Sequence, residues 1–96
     1  MAALVIADVK VANPDQYQQY TALSPAAIKA AGGEILARGG QVDVLEGQWQ
    51  PNRVVVVRFE SMAAAHAFYD SALYRQAREK RAGATDYFNL VVVEGV

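Results

Sequence analysis

Four short stretches of the chain are rich in valine, and two helical stretches separate them in the order β-α-β-β-α-β. A strand with one face in water alternates apolar and polar residues, because successive side chains point to opposite faces. Residues 54–57 and 90–93 do not alternate, since they read Val-Val-Val-Val and Leu-Val-Val-Val. Two helices cover only one face of a four-stranded sheet. The pattern therefore predicts that a second copy of the chain covers the other face.

Sequence signals for helix ends flank both helical stretches. Asn13-Pro14 is typical of a helix start, because asparagine caps the first turn and proline fits the first helical position. Gly32-Gly33 predicts the end of this helix, and Pro25 predicts a kink within it because proline lacks a backbone donor. In the second stretch, Ser61 predicts an N-cap, and Ser71 predicts a cap for a following helical segment.

The strand pattern predicts one domain over the whole chain. Strands are predicted at residues 3–11, 34–38, 53–60 and 86–94. Gly39-Gly40 predicts a bulge or bend, with pairing resuming at residues 42–45. Asp8 and Lys10 predict that the first strand meets water only at its C-terminal end. Right-handed crossovers then close residues 1–96 as an α+β, ferredoxin-like βαββαβ sandwich with an antiparallel sheet.

Composition argues against several functional classes. Nine basic and 10 acidic residues give a net charge of −1, which lacks the basic footprint expected for nucleic acid or a polybasic membrane surface. The predicted first and third strands also lack the aromatic side chains with which ferredoxin-like RNA-binding domains stack bases. There is no cysteine and one histidine, so we expect no metal site within one subunit. We also expect no cofactor. The apolar start contains Asp8 and Lys10 without a basic leader, which predicts a strand and a cytoplasmic protein.

An ordered set of short motifs covers nearly the whole chain. The motifs are Ala37-Arg38-Gly39-Gly40, Leu45-Glu46-Gly47, Phe59-Glu60-Ser61, Phe68-Tyr69-Asp70-Ser71 followed by Tyr74, and Glu94-Gly95-Val96. Together they resemble the bacterial family known as domain of unknown function 1330. The resemblance implies a homodimeric α+β barrel, in which two ferredoxin-like sheets pack face to face with the helices outside. The wider superfamily includes cofactor-independent monooxygenases, isomerases and haem enzymes, so the fold constrains function weakly. The chain has Ala72-Leu73 where the family pattern often has Pro-Glu.

Two arginines are candidate ligand-binding residues. Arg38 precedes the glycine pair, where its guanidinium could hold a carboxylate, enolate or quinone oxygen. Its alternative role is a structural ion pair with Glu46 or Asp8. Arg81 matches an arginine late in the last helix of the family that the chain resembles. It either turns inward beside Tyr74 or belongs to a solvated helix face that suits the helix dipole.

Four tyrosines lie in the helical stretches, at positions 17, 20, 69 and 74. Their hydroxyls would line a space between helices and sheet and would supply the polar groups that orient a ligand in an apolar pocket. The alternative is that these rings only fill the core, with each hydroxyl bonded to a carbonyl or water. The ligand site predicted from these arguments consists of Arg38, Tyr20, Tyr69, Tyr74 and Arg81.

Two further residues have a chemical and a structural interpretation. His66 has Tyr69 and Asp70 three and four residues later, which would favour a basic imidazole, although such neighbours are also ordinary on an exposed helix face. Trp49 lies in a turn-rich segment, and we expect it to pack on the partner subunit, because aromatic residues are enriched in interface cores.

The sequence leaves two main hypotheses for function, besides haem binding, for which His66 would be the only ligand. The first is a dimer that binds a small anionic or carbonyl-bearing molecule between sheet and helices, with proton transfer or cofactor-independent oxidation as the chemistry if it is an enzyme. In that case Arg38 would hold the developing oxyanion and a tyrosine hydroxyl would assist. The second is a non-catalytic dimer that serves as a ligand carrier, a stress-related module or an interaction protein. A cavity above about 300 Å³ favours the first hypothesis, whereas close packing favours the second.

Overall fold

The computed structural model describes residues 1–96 and has the predicted α+β, ferredoxin-like architecture. Its elements are β1 Ala3–Val11, α1 Pro14–Thr21, α2 Ser24–Ala30, β2 Glu34–Arg38, β3 Arg53–Phe59, α3 Met62–Asp70, α4 Ala72–Arg81 and β4 Thr85–Glu94. The strands form one antiparallel sheet in the order β2-β3-β1-β4. None of the helices is long and apolar enough to cross a membrane.

The predicted helix caps are confirmed. The Asn13 side chain accepts a hydrogen bond from the Gln16 amide at 3.1 Å. Ser61 Oγ accepts from the Ala64 amide at 3.0 Å, and Ser71 Oγ accepts from the Tyr74 amide at 3.2 Å. Each bond satisfies one of the amides that the first helical turn leaves without a partner. The Ser71 cap therefore separates α3 from α4.

Pro25 was expected to kink a continuous helix, and this prediction is wrong. The helix ends at Thr21, and α2 starts anew at Ser24 with Pro25 in its first turn. Proline lacks the amide that a helix interior needs, but the first turn leaves that amide unbonded in any case. The proline thus begins a second helix rather than bending the first.

The second strand does not resume after the glycine pair, so the prediction for residues 42–45 is also wrong. Residues 39–52 contain no strand or helix. Gly39 has φ +69°, a left-handed conformation that turns the chain out of the sheet. Its amide still donates to the Val54 carbonyl at 2.9 Å, directly after the last β2–β3 pair. We call residues 39–52 the long loop.

The core lies between the helices and one face of the sheet, which we call the helix face. β1 places alternate residues there, and β3 contributes Val57 and Phe59. The opposite face, which we call the open face, has no helix. The buried residues of β1 on the helix face are Ala3, Val5, Ala7 and Val9.

The open face is apolar across three strands. Ile6 pairs with Val56 on one side and with Val91 on the other, so these three side chains form a row across the sheet. Leu4 pairs with Val93 in the next row. Val91 is 58% exposed and Val93 is 48% exposed, which is unusual for valine on a strand of a packed domain. These five side chains thus form a contiguous apolar patch on the open face, bordered by Arg58, which pairs with Leu4, and by Asn89, which pairs with Asp8.

Asp8 was expected in water, but it is buried on the open face. Its carboxylate accepts hydrogen bonds from Trp49 Nε1 at 3.0 Å, the Asn52 amide at 3.0 Å and the Tyr87 hydroxyl at 3.2 Å. Burial raises the pKa of Asp8, but these three hydrogen bonds outweigh burial, so the net pKa lies below its usual value. Asp8 thereby holds the end of the long loop against the sheet. The Trp49 ring itself stays 63% exposed.

We predict that Asp8→Asn destabilises the fold at neutral pH by about 1–3 kcal/mol, because an amide replaces a charged acceptor of three hydrogen bonds. The pKa of Asp8 in the folded chain lies below the reference value of 3.8. Its stabilising contribution is therefore present above about pH 4 and disappears as the pH falls through the folded-state pKa. Urea unfolding at pH 7 and at pH 3 measures both effects.

Asp86→Asn is the matched control for Asp8→Asn. Asp86 is exposed and pairs only with Lys10, at 3.8 Å, so its loss should change stability little. Equal destabilisation by the two variants at pH 7, or an Asp8→Asn deficit that stays the same at pH 3, would contradict this account of Asp8.

Candidate functional site

A cavity of about 510 Å³ lies between the helices and the helix face of the sheet. We call it the main cavity. It exceeds the volume of about 300 Å³ at which small-molecule sites begin. Residues of all four helices form one side, with most of them from α1 and α2, and residues of all four strands form the other. Its mostly apolar walls include Val5, Ala7, Ile28, Val55, Val57, Phe68, Phe88 and Leu90.

Two of the predicted site residues, Tyr20 and Tyr74, meet in the wall of the main cavity. Their hydroxyl oxygens are 2.7 Å apart, and both side chains are buried. The Phe68 ring lies 4.3 Å from the Tyr74 ring, and the Phe88 ring lies 5.8 Å from the Tyr20 ring, measured between ring centroids. This packing holds both hydroxyls in place.

The tyrosines of the main cavity are hydrogen-bonding groups and not bases. Burial, together with the neighbouring Tyr74, raises the pKa of Tyr20 far above its usual value. Burial also raises the pKa of Tyr17, although the charges of Arg53 and Arg81 oppose this shift. Both phenols therefore stay protonated at neutral pH.

Arg38 is exposed and lies at the edge of the main cavity. It forms no ion pair with Glu46 or Asp8, since the one salt bridge in the structure joins Lys10 to Asp86. The ion pair that was the alternative role for Arg38 is therefore not present in the structure.

Arg53, which sequence reasoning missed, lines the same cavity. Its side chain is half-buried, and its Nε is buried without a hydrogen-bond partner. The glycine at position 39 makes room for this arginine, because a Cβ there would overlap the Arg53 guanidinium. A signal was available: Arg38 pairs with Val55, so Arg38 and Arg53 lie on the same face of the β2–β3 hairpin.

The remaining two predicted residues, Tyr69 and Arg81, lie elsewhere. They line a second cavity of about 370 Å³, together with His66. The predicted set therefore divides in two: Arg38, Tyr20 and Tyr74 belong to the main cavity, and Tyr69 and Arg81 do not. Arg81 is half-buried and turns inward, with its guanidinium carbon 3.7 Å from the centre of the Phe88 ring.

The polar side chains that line the main cavity are either arginines or neutral groups. Its polar lining offers two guanidinium groups, three phenol hydroxyls and a few neutral amide and hydroxyl groups. None of its lining residues is aspartate, glutamate, histidine or lysine. No group of three or more acidic or histidine side chains is placed to hold a metal ion. The main cavity can therefore bind and stabilise negative charge on an oxygen atom, but it holds no group suited to remove a proton.

Comparison with known proteins identifies the family of this chain. The family described as Domain of unknown function (DUF1330) matches residues 2–96. No curated protein matches the sequence significantly.

Several solved structures share the fold. A protein of unknown function from Rhodopseudomonas palustris is 20% identical, with a TM-score of 0.75 over 99% of this chain and 82% of that one. A dimeric ferredoxin-like protein of unknown function from Jannaschia sp. CCS1 is 13% identical, with a TM-score of 0.77 over 99% of this chain and 100% of that one. A Caulobacter crescentus CB15 protein, provisionally named an antibiotic biosynthesis monooxygenase, is 16% identical, with a TM-score of 0.69 over 99% and 90%. These similarities establish the fold.

We predict that Tyr20→Phe and Tyr74→Phe each destabilise the protein by about 1–3 kcal/mol, because each leaves a buried hydroxyl without its partner. The double variant should lose less than the sum of the two, since it removes both hydroxyls together. Chemical denaturation of the wild type, the two single variants and the double variant measures the coupling.

Tyr69→Phe is the control, because the Tyr69 side chain is partly exposed and its hydroxyl has no hydrogen-bond partner within the chain. Strictly additive losses would show that the hydroxyl pair contributes nothing to stability.

Proposed function

We propose, from the premise that this chain belongs to the domain of unknown function 1330 family, that it binds a small anionic or carbonyl-bearing molecule in the main cavity. The observation that carries the proposal is the Arg53 guanidinium, whose buried Nε lacks an acceptor in the wall of a cavity of about 510 Å³. Buried polar groups in folded proteins nearly always have a partner. The half-buried Arg53 interacts with the Tyr17 side chain and lowers the Tyr17 pKa, but this contact leaves Nε without an acceptor. An oxygen atom of a bound ligand would supply that partner.

The shape of the binding surface defines the ligand further. Arg38 and Arg53 lie on the β2–β3 hairpin, whereas the Tyr20–Tyr74 hydroxyl pair is buried among aromatic rings. A ligand that satisfies both ends has an apolar body, a negatively charged or carbonyl oxygen for the arginines, and an acceptor for a tyrosine hydroxyl. Planar carboxylates suit the guanidinium group because it donates two parallel hydrogen bonds.

The absence of a base among the lining residues restricts any reaction in the main cavity. A substrate would have to bind as a preformed anion, and the arginines and phenols would stabilise its negative oxygen. An already ionised, electron-rich substrate meets this condition for cofactor-independent oxidation, in which dioxygen takes up the electrons that the bound anion gives. Isomerisation through an enolate would also need a base to remove the first proton, and the lining residues supply none. Proteins provisionally named antibiotic biosynthesis monooxygenases share the fold. The same lack of a base also supports the alternative, a non-catalytic carrier of such a molecule.

The binding unit in this proposal is a homodimer formed through the open face. Val91 and Val93 are about half exposed there, and Leu45 of the long loop is 95% exposed. Burial of these side chains would favour association by roughly 25 cal/mol per Å² of apolar surface. Structural relatives described as dimeric share this fold. Because the main cavity lies on the helix face, dimerisation through the open face leaves it free for a ligand.

We predict that 2-naphthoate binds the protein and that Arg53→Gln weakens the binding about tenfold or more, because a charge-assisted hydrogen bond contributes about 1.5–3 kcal/mol. The fluorescence of the naphthoate ring reports binding directly. Arg75→Gln removes the same charge from an exposed site outside both cavities and should leave the affinity unchanged. The uncharged analogue 2-naphthamide should bind more weakly than naphthoate. Equal affinities of wild type and Arg53→Gln would refute the proposal.

We predict that the affinity for 2-naphthoate is constant from about pH 6 to pH 9, because carboxylic acids ionise near pH 4 and arginine stays charged. The raised pKa values of Tyr17 and Tyr20 keep both phenols protonated over this range. Fluorescence titration across the range measures the profile. A drop in affinity with a midpoint between pH 6 and pH 9 would reveal a titrating group that this account of the cavity lacks.

A further inference from the structure

The second cavity has a chemistry of its own. It has a volume of about 370 Å³ and lies between α3, the end of α4, and strands β1 and β4. Its lining consists of Val5, Ala65, His66, Phe68, Tyr69, Arg81, Phe88, Leu90 and Val92. Four of these apolar residues, Val5, Phe68, Phe88 and Leu90, also line the main cavity, so the two cavities are neighbours. Their polar groups are entirely different.

Arg81 is the only lining residue of the second cavity that carries a permanent charge. Its Nε is buried without a partner, and no carboxylate lies within ion-pairing distance of its guanidinium. The guanidinium carbon lies 3.7 Å from the centre of the Phe88 ring and 5.2 Å from that of Tyr20. These aromatic contacts attract the cation, but they do not accept its N–H groups in the way that an oxygen does.

Arg78, one turn earlier on the same helix, also has a buried Nε without a hydrogen-bond partner, but the protein holds the rest of its guanidinium. Its Nη2 donates to the Tyr69 carbonyl at 3.2 Å, and its guanidinium carbon lies 4.1 Å from the centre of the Tyr69 ring. Arg78 therefore fixes the position of Tyr69. Arg81 makes no hydrogen bond to the protein, so its N–H groups remain available at the cavity.

Two further hydrogen-bonding side chains accompany Arg81. The Tyr69 side chain is 37% exposed, and its hydroxyl has no hydrogen-bond partner within the chain. His66, the only histidine, is exposed on α3 and also lines the cavity, so the cavity is open to solvent at this helix. No carboxylate lines the cavity. A cation and two donors in an otherwise apolar space favour a small anion with an apolar body.

We propose that the second cavity is a separate binding site for a small aromatic carboxylate. The carboxylate pairs with Arg81 and accepts hydrogen bonds from Tyr69 or His66, while its ring lies against Phe68 and Phe88. A carboxylate fits better than phosphate, because one guanidinium matches a single negative charge and most of the lining is apolar. The proposal does not depend on the function proposed for the main cavity, since neither Arg53 nor the Tyr20–Tyr74 pair lines this site.

Titration of isotope-labelled protein with benzoate, followed by NMR, tests this site. We expect benzoate to shift the imidazole resonances of His66 and the methyl resonance of Ala65, both of which line the second cavity and not the main cavity. The uncharged analogue benzamide should cause these shifts only at about tenfold or higher concentration. Because this experiment uses the unaltered protein, it does not depend on how any variant folds.

Variants separate this site from the main cavity. Arg81→Gln should weaken benzoate binding about tenfold or more, whereas Arg75→Gln, an exposed arginine on the same helix, should not change it. Arg53→Gln should leave the benzoate-induced shifts of His66 and Ala65 intact, because neither residue lines the main cavity, while it reduces naphthoate binding. Benzoate shifts that persist in Arg81→Gln, or shifts confined to residues of the main cavity, would overturn the proposal. Loss of naphthoate binding in Arg53→Gln without any benzoate effect at His66 would leave the main cavity as the only site.

Discussion

The packing of this protein depends on a sheet that is apolar on both faces. In β1 the helix face carries small and medium side chains that are nearly fully buried, whereas Leu4 and Ile6 on the open face are only half-buried. One layer of helices satisfies the first face. On the second face, the chain itself supplies only the long loop, held down where Trp49 and Asn52 bond to Asp8. The rest of that face lacks a partner within one chain, and this deficit drives the proposed association.

The helix face is incompletely filled, and the reason lies in the helices. Proline at position 25 divides the first helical stretch into α1 and α2, and both line the main cavity instead of packing closely on the sheet. Tyr20 of α1 and Tyr74 of α4 form a hydrogen bond between their hydroxyls in the wall of this cavity. Large rings thus surround the main cavity while their polar ends bond to one another. The result is a mostly apolar cavity whose only charged hydrogen-bond donors are its two arginines.

The fold could be predicted because its signals are local. Asn13, Ser61 and Ser71 cap helices through contacts within three residues, and the valine runs indicate strands directly. The long loop was missed because a left-handed Gly39 is compatible with either a bulge or a strand end. Burial of Asp8 depends on partners 41 to 79 residues away, which no local pattern reveals.

The positions of the candidate residues could be predicted only in part. Tyr20 and Tyr74 share a cavity because two amphipathic helices face one another, which helical spacing indicates. The position of Arg53 beside Arg38 follows from the strand register of the β2–β3 hairpin. Predicting it from the sequence requires knowing which β3 residue pairs with Arg38. The separation of Tyr69 and Arg81 from the main cavity is set by the angle between helices and sheet, and the rings of Phe68 and Phe88 contribute to both walls. The spacing of residues along the chain does not predict the angle between the helices and the sheet.

Sedimentation equilibrium of the purified protein tests most directly whether the open face is covered by a second copy. The account predicts the mass of two chains at low micromolar concentration, and dissociation when a charge replaces Val91 in the centre of the apolar row. A stable, soluble monomer at that concentration would contradict it, because the exposed valines would then have to remain in water without association.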